Sequence, residues 1–206
     1  HFNSVDHSWK PMTKPSAGYP KDLLAINNLY DGMEAYSVPV SVWRDQYVQG
    51  DPVASLSAVM SRLDLEIMRK KRRLIPIGGS DSRDATIRPT IYIAAPDRTP
   101  EALRQGLANG RVCVRSPLPC GLRVFADDQP VAAGVGDHIV AQQHIDIRWE
   151  GGEGELFRNA ESVGTFEGRA LQPTSRSECH IYRLVVDGGF SAPFYVNCPL
   201  LAAPRS

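Results

Sequence analysis

The chain has 206 residues, with 23 lysines and arginines against 23 aspartates and glutamates, so its formal net charge is zero. That balance argues against the basic surface of a nucleic-acid-binding protein. Apolar residues make up 42% and charged residues 22%. Such a mixture buries a core, and no apolar run reaches the roughly 18 to 20 residues of a membrane-spanning helix. The chain begins on His1 rather than Met, as expected of a processed or truncated precursor, and its first fourteen residues hold no apolar signal-peptide stretch.

In chain order, residues 23–29 predict a helix and residues 32–36 a strand. Asp51-Pro52 predicts a helix start, with Asp as N-cap and Pro at the first helical position. Behind it, Leu56, Val59, Met60, Leu63 and Ile67 recur at helical spacing and define one apolar face. The helix ends in Arg69-Lys-Lys-Arg-Arg73, where cations complement the helix dipole, and a solvated helix end accounts for them. A buried strand over 74–77 and the turn Gly78-Gly-Ser-Asp-Ser82 follow, then a strand over 91–95. Thr99-Pro100-Glu101 opens a short helix that closes at Asn109-Gly110. Helices alternating with strands are the pattern of an α/β fold.

The pattern changes at 114–121, where two prolines and a glycine crowd Arg115-Ser-Pro-Leu-Pro-Cys-Gly121. The expected division is therefore an α/β part over 1–115 and a second part over 116–206. Beyond it, stretches of alternation over 122–126, 144–149, 155–157, 180–186 and 194–196 are separated by glycine-bearing turns at 134–137, 150–152 and 187–189. Short strands at this spacing predict an antiparallel β-sandwich-like domain. Cys113, Cys120, Cys179 and Cys198 lack C-x-x-C spacing. One or two disulfides and four buried thiols are both compatible with them.

Chemistry is best placed at Gly78-Gly-Ser-Asp-Ser-Arg83, after a buried strand. Ligands of α/β folds bind at the carboxyl ends of parallel strands, which would put Asp81 where a metal ligand or catalytic carboxylate sits. By pattern alone the same residues also make an ordinary turn.

Together with Asp31-Gly-Met-Glu-Ala-Tyr36, the stretch around Trp43, Pro89-Thr-Ile-Tyr92 and Thr99-Pro-Glu-Ala-Leu-Arg-Gln-Gly-Leu-Ala-Asn-Gly-Arg111, this segment resembles the later part of the PHP-type metal-dependent hydrolases. The similarity is to the CehA-like branch, which carries a C-terminal β-domain and includes carbamate-hydrolysing enzymes. Ala192-Pro-Phe-Tyr-Val-Asn-Cys-Pro199 is similar to the closing strand of that branch. The resemblance implies the later portion of a PHP-type distorted α/β barrel, with divalent zinc, manganese or iron as cofactor and hydrolysis of a phosphoester or carbamate as activity. The family's first His-x-His motif has no counterpart in this chain. A barrel portion of this kind is expected to pack within a longer chain or an oligomer, which would cover its open strand edges.

Carried over residue by residue, the resemblance makes Asp81 a metal ligand and His1 a match to a mid-barrel His ligand, although Phe2 stands where the family has Pro. At Arg83 the family has its terminal ligand His. A guanidinium offers only donors and cannot ligate a metal. Arg83 is then either a partner of Asp81 or a clamp on an anionic or carbamate substrate. The competing expectation is a catalytically inactive PHP-like module whose β-domain serves binding or assembly. His7, near Asp6 in a polar stretch, reads as a surface residue, and His138, His144 and His180 lack ligand spacing among themselves. Glu34, Trp9, Tyr36 and Trp43 fit a strand end and core packing as well as a pocket.

Overall fold

The computed structural model describes residues 3–4, 32–37, 52–79, 91–129, 132–199 and 201. Strands β1 (Asn3–Ser4), β2 (Gly32–Ser37) and β3 (Ile75–Gly79) form a parallel sheet in that order. Asn3 lies level with Met33 and Pro76, and Ser4 with Glu34 and Ile77. Parallel neighbours need a long crossover, and helix α1 (Pro52–Lys70) lies in the one between β2 and β3. Its apolar spacing does what the sequence predicts, since Met60, Leu63 and Ile67 are fully buried. Its last turn carries Arg69 and Lys70, both paired to Glu66. The predicted helix over 23–29 lies outside the described residues.

The remaining strands are β4 (Ile91–Ile93), β5 (Val112–Val114), β6 (Arg123–Ala126), β7 (His138–Ile139), β8 (His144–Arg158), β9 (Glu161–Pro173), β10 (His180–Val186), β11 (Gly189–Ser191) and β12 (Phe194–Val196). They make one nine-stranded sheet with the path β4-β5-β11-β10-β12-β7, in which β8 flanks β10 and also pairs with β6 and β9. Every pairing is antiparallel except that of β7 with β12. Most of the described chain is thus antiparallel β-structure with few helices. Helix α2 (Pro100–Ala108) joins β4 to β5 and is capped by Thr99, whose hydroxyl accepts from the Ala102 N–H. Gly106 lets it lie close to β4, where a Cβ would stand 2.7 Å from Ile93 Cγ2.

The turn expected at 150–152 is a bend within β8. The register shifts between Arg148 and Glu153, and Gly151 and Gly152 hold positive φ of 101° and 86°. Trp149 fills the bend and donates from Nε1 to the Gly152 carbonyl at 2.9 Å. The bend lets one strand serve two groups, because residues before it pair with β6 and residues after it with β10.

The sheet takes strands from both sides of residue 115. The proline-rich stretch is a loop with a 3-10 turn (Leu118–Gly121), tied back by a disulfide between Cys120 and Cys113 of β5. A second disulfide joins Cys179 to Cys198, so all four cysteines are paired. Two clusters form the core. One gathers Val124, Ile145, Ile147, Leu156, Leu184 and Phe194 within the sheet. The other seats Met60, Leu63 and Ile67 of α1 against Val114, Ile181, Phe190 and Tyr195. Helix α1 thereby packs the α/β part onto the β-rich part.

Candidate functional sites

Parallel strands all point their carboxyl ends to one side, and loops leaving that side converge. Here β2 and β3 finish on the same rung, Ser37 level with Gly79. Asp81 follows Gly79 by two residues in the sequence and Arg83 by four; they and His1 lie outside the described residues. In β1, Asn3 is level with Pro76, three positions before Gly79 along β3. At about 3.3 Å per residue that separates the two rungs by roughly 10 Å along the strands.

Among the described residues, no group of three or more His, Cys, Asp or Glu is placed to hold a metal ion. By residue type, Asp81 is a carboxylate suited to a divalent ion and Arg83 a cation that repels one. The described histidines serve local bonds instead. His144 faces Asp128 at 3.4 Å, and His180 sits between Asn159 and Glu178, each at 3.3 Å. His138 Nε2 accepts from the Cys198 N–H at 3.0 Å. Glu34 and Tyr36 lie on β2, and Trp9, Trp43 and His7 fall outside the described residues.

A second locus lies on the outer face of β6, β8 and β9, and the sequence reading did not single it out. Antiparallel pairing sets Arg123 opposite Arg148, and Arg148 opposite Arg169, so three guanidiniums stand in one row across three strands. Like charges directly opposite one another destabilise a sheet. The adjacent row places Phe125, Asp146 and Leu171 side by side. The Asp146 side chain is 7% exposed and accepts from both neighbours: from Arg148 Nε at 2.8 Å and Nη2 at 2.5 Å, and from Arg169 Nε at 2.8 Å and Nη2 at 3.0 Å.

Burial works to raise the Asp146 carboxyl, but the hydrogen bonds from Arg169 and Arg148 outweigh it and hold its pKa below the ordinary 3.8. Arg148 also lies over the Phe125 ring, 4.7 Å from its centroid. Both guanidinium planes are thus fixed while more than half of each side chain stays exposed. Arg123 has no ion-pair or hydrogen-bond partner among the described residues. The row lines an open groove of about 600 Å³, to which Glu150 and Glu167 also contribute.

A third charged locus is buried. Arg183 of β10 donates from Nε to Asp64 Oδ2 of α1 at 3.0 Å and from Nη2 to Ser61 Oγ at 2.9 Å. Its guanidinium also lies 4.0 Å from the Phe157 centroid. The pair is sealed, with side-chain exposures of 0% and 1%, so it joins helix to sheet and offers nothing to a ligand. Among the described residues no helix is long and apolar enough to cross a membrane.

Comparison with family models, with curated proteins and with solved structures finds no match for this chain.

Proposed function

We propose that the chain belongs to a PHP-type metal-dependent hydrolase of phosphoester or carbamate bonds, with the reacting groups at the carboxyl edge of β1-β2-β3. One observation carries the proposal. Ser37 and Gly79 end adjacent parallel strands on one rung, and Asp81 follows Gly79 by two residues. That is where α/β folds place ligand-binding loops.

A divalent ion in such hydrolases polarises the phosphoryl or carbonyl oxygen. Toward it this chain contributes the Asp81 carboxylate. Arg83, permanently protonated, is suited to hold an anionic or carbonyl oxygen of the substrate through directed N–H donors. His1, the other ligand that the resemblance implies, lies outside the described residues.

Elemental analysis of purified protein beside Asp81→Ala tests this. Zinc, manganese or iron near one equivalent per chain, lost in the variant, is the expected result. Metal content unchanged by Asp81→Ala, or absent after reconstitution, would sink the assignment.

A second function is favoured by the arginine-lined groove: a catalytically inactive PHP-like module whose β-rich part binds a ligand. Arg83 in place of a ligand His agrees with it.

A further inference from the structure

We infer that the groove on the outer face of β6, β8 and β9 binds a small hydroxylated molecule carrying one compact oxyanion, as in a sugar acid or a sugar phosphate. The inference rests on this groove alone, so it stands whether or not the strand edge bearing Asp81 is catalytic.

Three arginines in cross-strand register repel one another, and the Asp146 carboxylate is shared by only two of them. Arg123, at the end of the row, has no ion-pair or hydrogen-bond partner among the described residues. An oxyanion seated along the row would relieve that repulsion.

Pre-organisation points the same way. Asp146 takes Nε and Nη2 of both Arg148 and Arg169, which fixes the two planes and leaves Nη1 of each without a hydrogen-bond partner among the described residues. Phe125 supports the Arg148 plane from below. Guanidiniums held in place lose less freedom when they bind a carboxylate or phosphate.

The remaining lining sets the rest of the ligand. Glu150 and Glu167 bring negative charge to the groove, which disfavours a long polyanion such as a nucleic acid. Carboxylates accept hydrogen bonds, so hydroxyl groups are their natural partners. A volume of about 600 Å³ suits a molecule of one or two sugar rings.

The test is titration calorimetry of the full chain with glucose, glucuronate, glucose 6-phosphate, inorganic phosphate and heparin. Saturable binding of glucuronate or glucose 6-phosphate, with none to glucose, is expected, and the stronger of the two identifies the anion. Arg123→Ala, an exposed position, should keep the parent's melting temperature and weaken that binding by about tenfold. Asp81→Ala should bind as the parent does. Loss of binding in Asp81→Ala would move the anion to the strand edge and overturn the inference. So would equal binding by parent and Arg123→Ala, binding of heparin alone, or no binding at all.

Discussion

Two arginine–aspartate clusters in this molecule share their chemistry and differ in surroundings. Between α1 and β10, Arg183 and Asp64 are sealed from solvent, whereas on the outer face of β6, β8 and β9 Asp146 is clasped by two half-exposed arginines. Burial pushes the Asp64 carboxyl up to about 6 despite the charge and hydrogen bond of Arg183. Burial also lowers the Arg183 pKa, with Asp64 only partly offsetting it. Asp146 moves the opposite way, since two donors outweigh a milder loss of water. An ion pair sealed in a core costs more in desolvation than one whose cations keep their hydration. The first cluster thus specifies how helix and sheet meet, and the second holds donors ready for something else.

Cutting the sealed pair should have the largest effect. Asp64→Leu leaves Arg183 buried with Ser61 and Phe157 as its remaining described partners, and should cost about 3 to 5 kcal/mol in urea unfolding. Replacing both, as Asp64→Leu with Arg183→Met, should restore most of that loss, because well-packed apolar groups replace a buried ion pair at little cost. A double variant as unstable as the single would show that the pair contributes net stability.

The same double variant carries a pH signature. The folded-state pKa of Asp64, about 6, lies above its ordinary 3.8. Its contribution is therefore fully present below pH 3.8 and is lost as pH rises through about 6. Measured from pH 4 to pH 7, the stability of the double variant relative to the parent should climb over that window. A constant difference would contradict the raised pKa.

On the exposed face the effects are smaller. Asp146→Asn removes the one charge shared by Arg148 and Arg169 and should cost about 1 to 2 kcal/mol, discounted because both arginines remain solvated. Its pH dependence is opposite in sign to that of Asp64. A depressed carboxyl contributes above its ordinary pKa of 3.8 and loses that contribution as pH falls further, so parent and variant should converge in acid. Curves that stay parallel below pH 4 would mean that the arginines do not hold Asp146 ionised.

What was legible in the sequence follows from which signals are local. Helix α1 announced itself through Asp51-Pro52 and through Met60, Leu63 and Ile67, because capping and 3.6-residue spacing are written within a few turns. Strand β3 was legible through its apolar run, but Gly78 and Gly79, expected in a turn, extend the strand by pairing with Tyr36 and Ser37 of β2. Strand β9 was not, since most of its residues face solvent and it borrows its order from β8. The proline-rich loop at 115–121 was legible as a break in pattern, but the pairing of β5 with β11 across it depends on contacts between distant residues. The arginine row was hidden for the same reason. Arg123 and Arg148 each occupy the outward position of an alternating strand, and only the register makes them neighbours of Arg169. Cysteine spacing likewise left the pairing of Cys113 with Cys120 and of Cys179 with Cys198 open.

The smallest expected effect concerns His138, where β7 meets the end of β12. Its Nε2 accepts from the Cys198 backbone N–H, a role open only to the neutral ring with its proton on Nδ1. Partial burial lowers its pKa from the ordinary 6.5, and the charge of Arg73 lowers it further. Arg73 is itself held nearby, donating to the Gly136 carbonyl at 3.2 Å and lying over Tyr195. A histidine with a depressed folded-state pKa contributes fully above 6.5, and that contribution is lost as pH falls through the depressed value. His138→Gln keeps an acceptor for Cys198 without a titrating ring. The variant should match the parent to within about 0.5 to 1 kcal/mol at pH 8, the scale of a single neutral hydrogen bond. Below pH 6.5 the parent should lose melting temperature faster than the variant. Identical slopes from pH 8 to pH 5 would show that the ring does not titrate against folding. A steeper loss in the variant would place the acid sensitivity in another group.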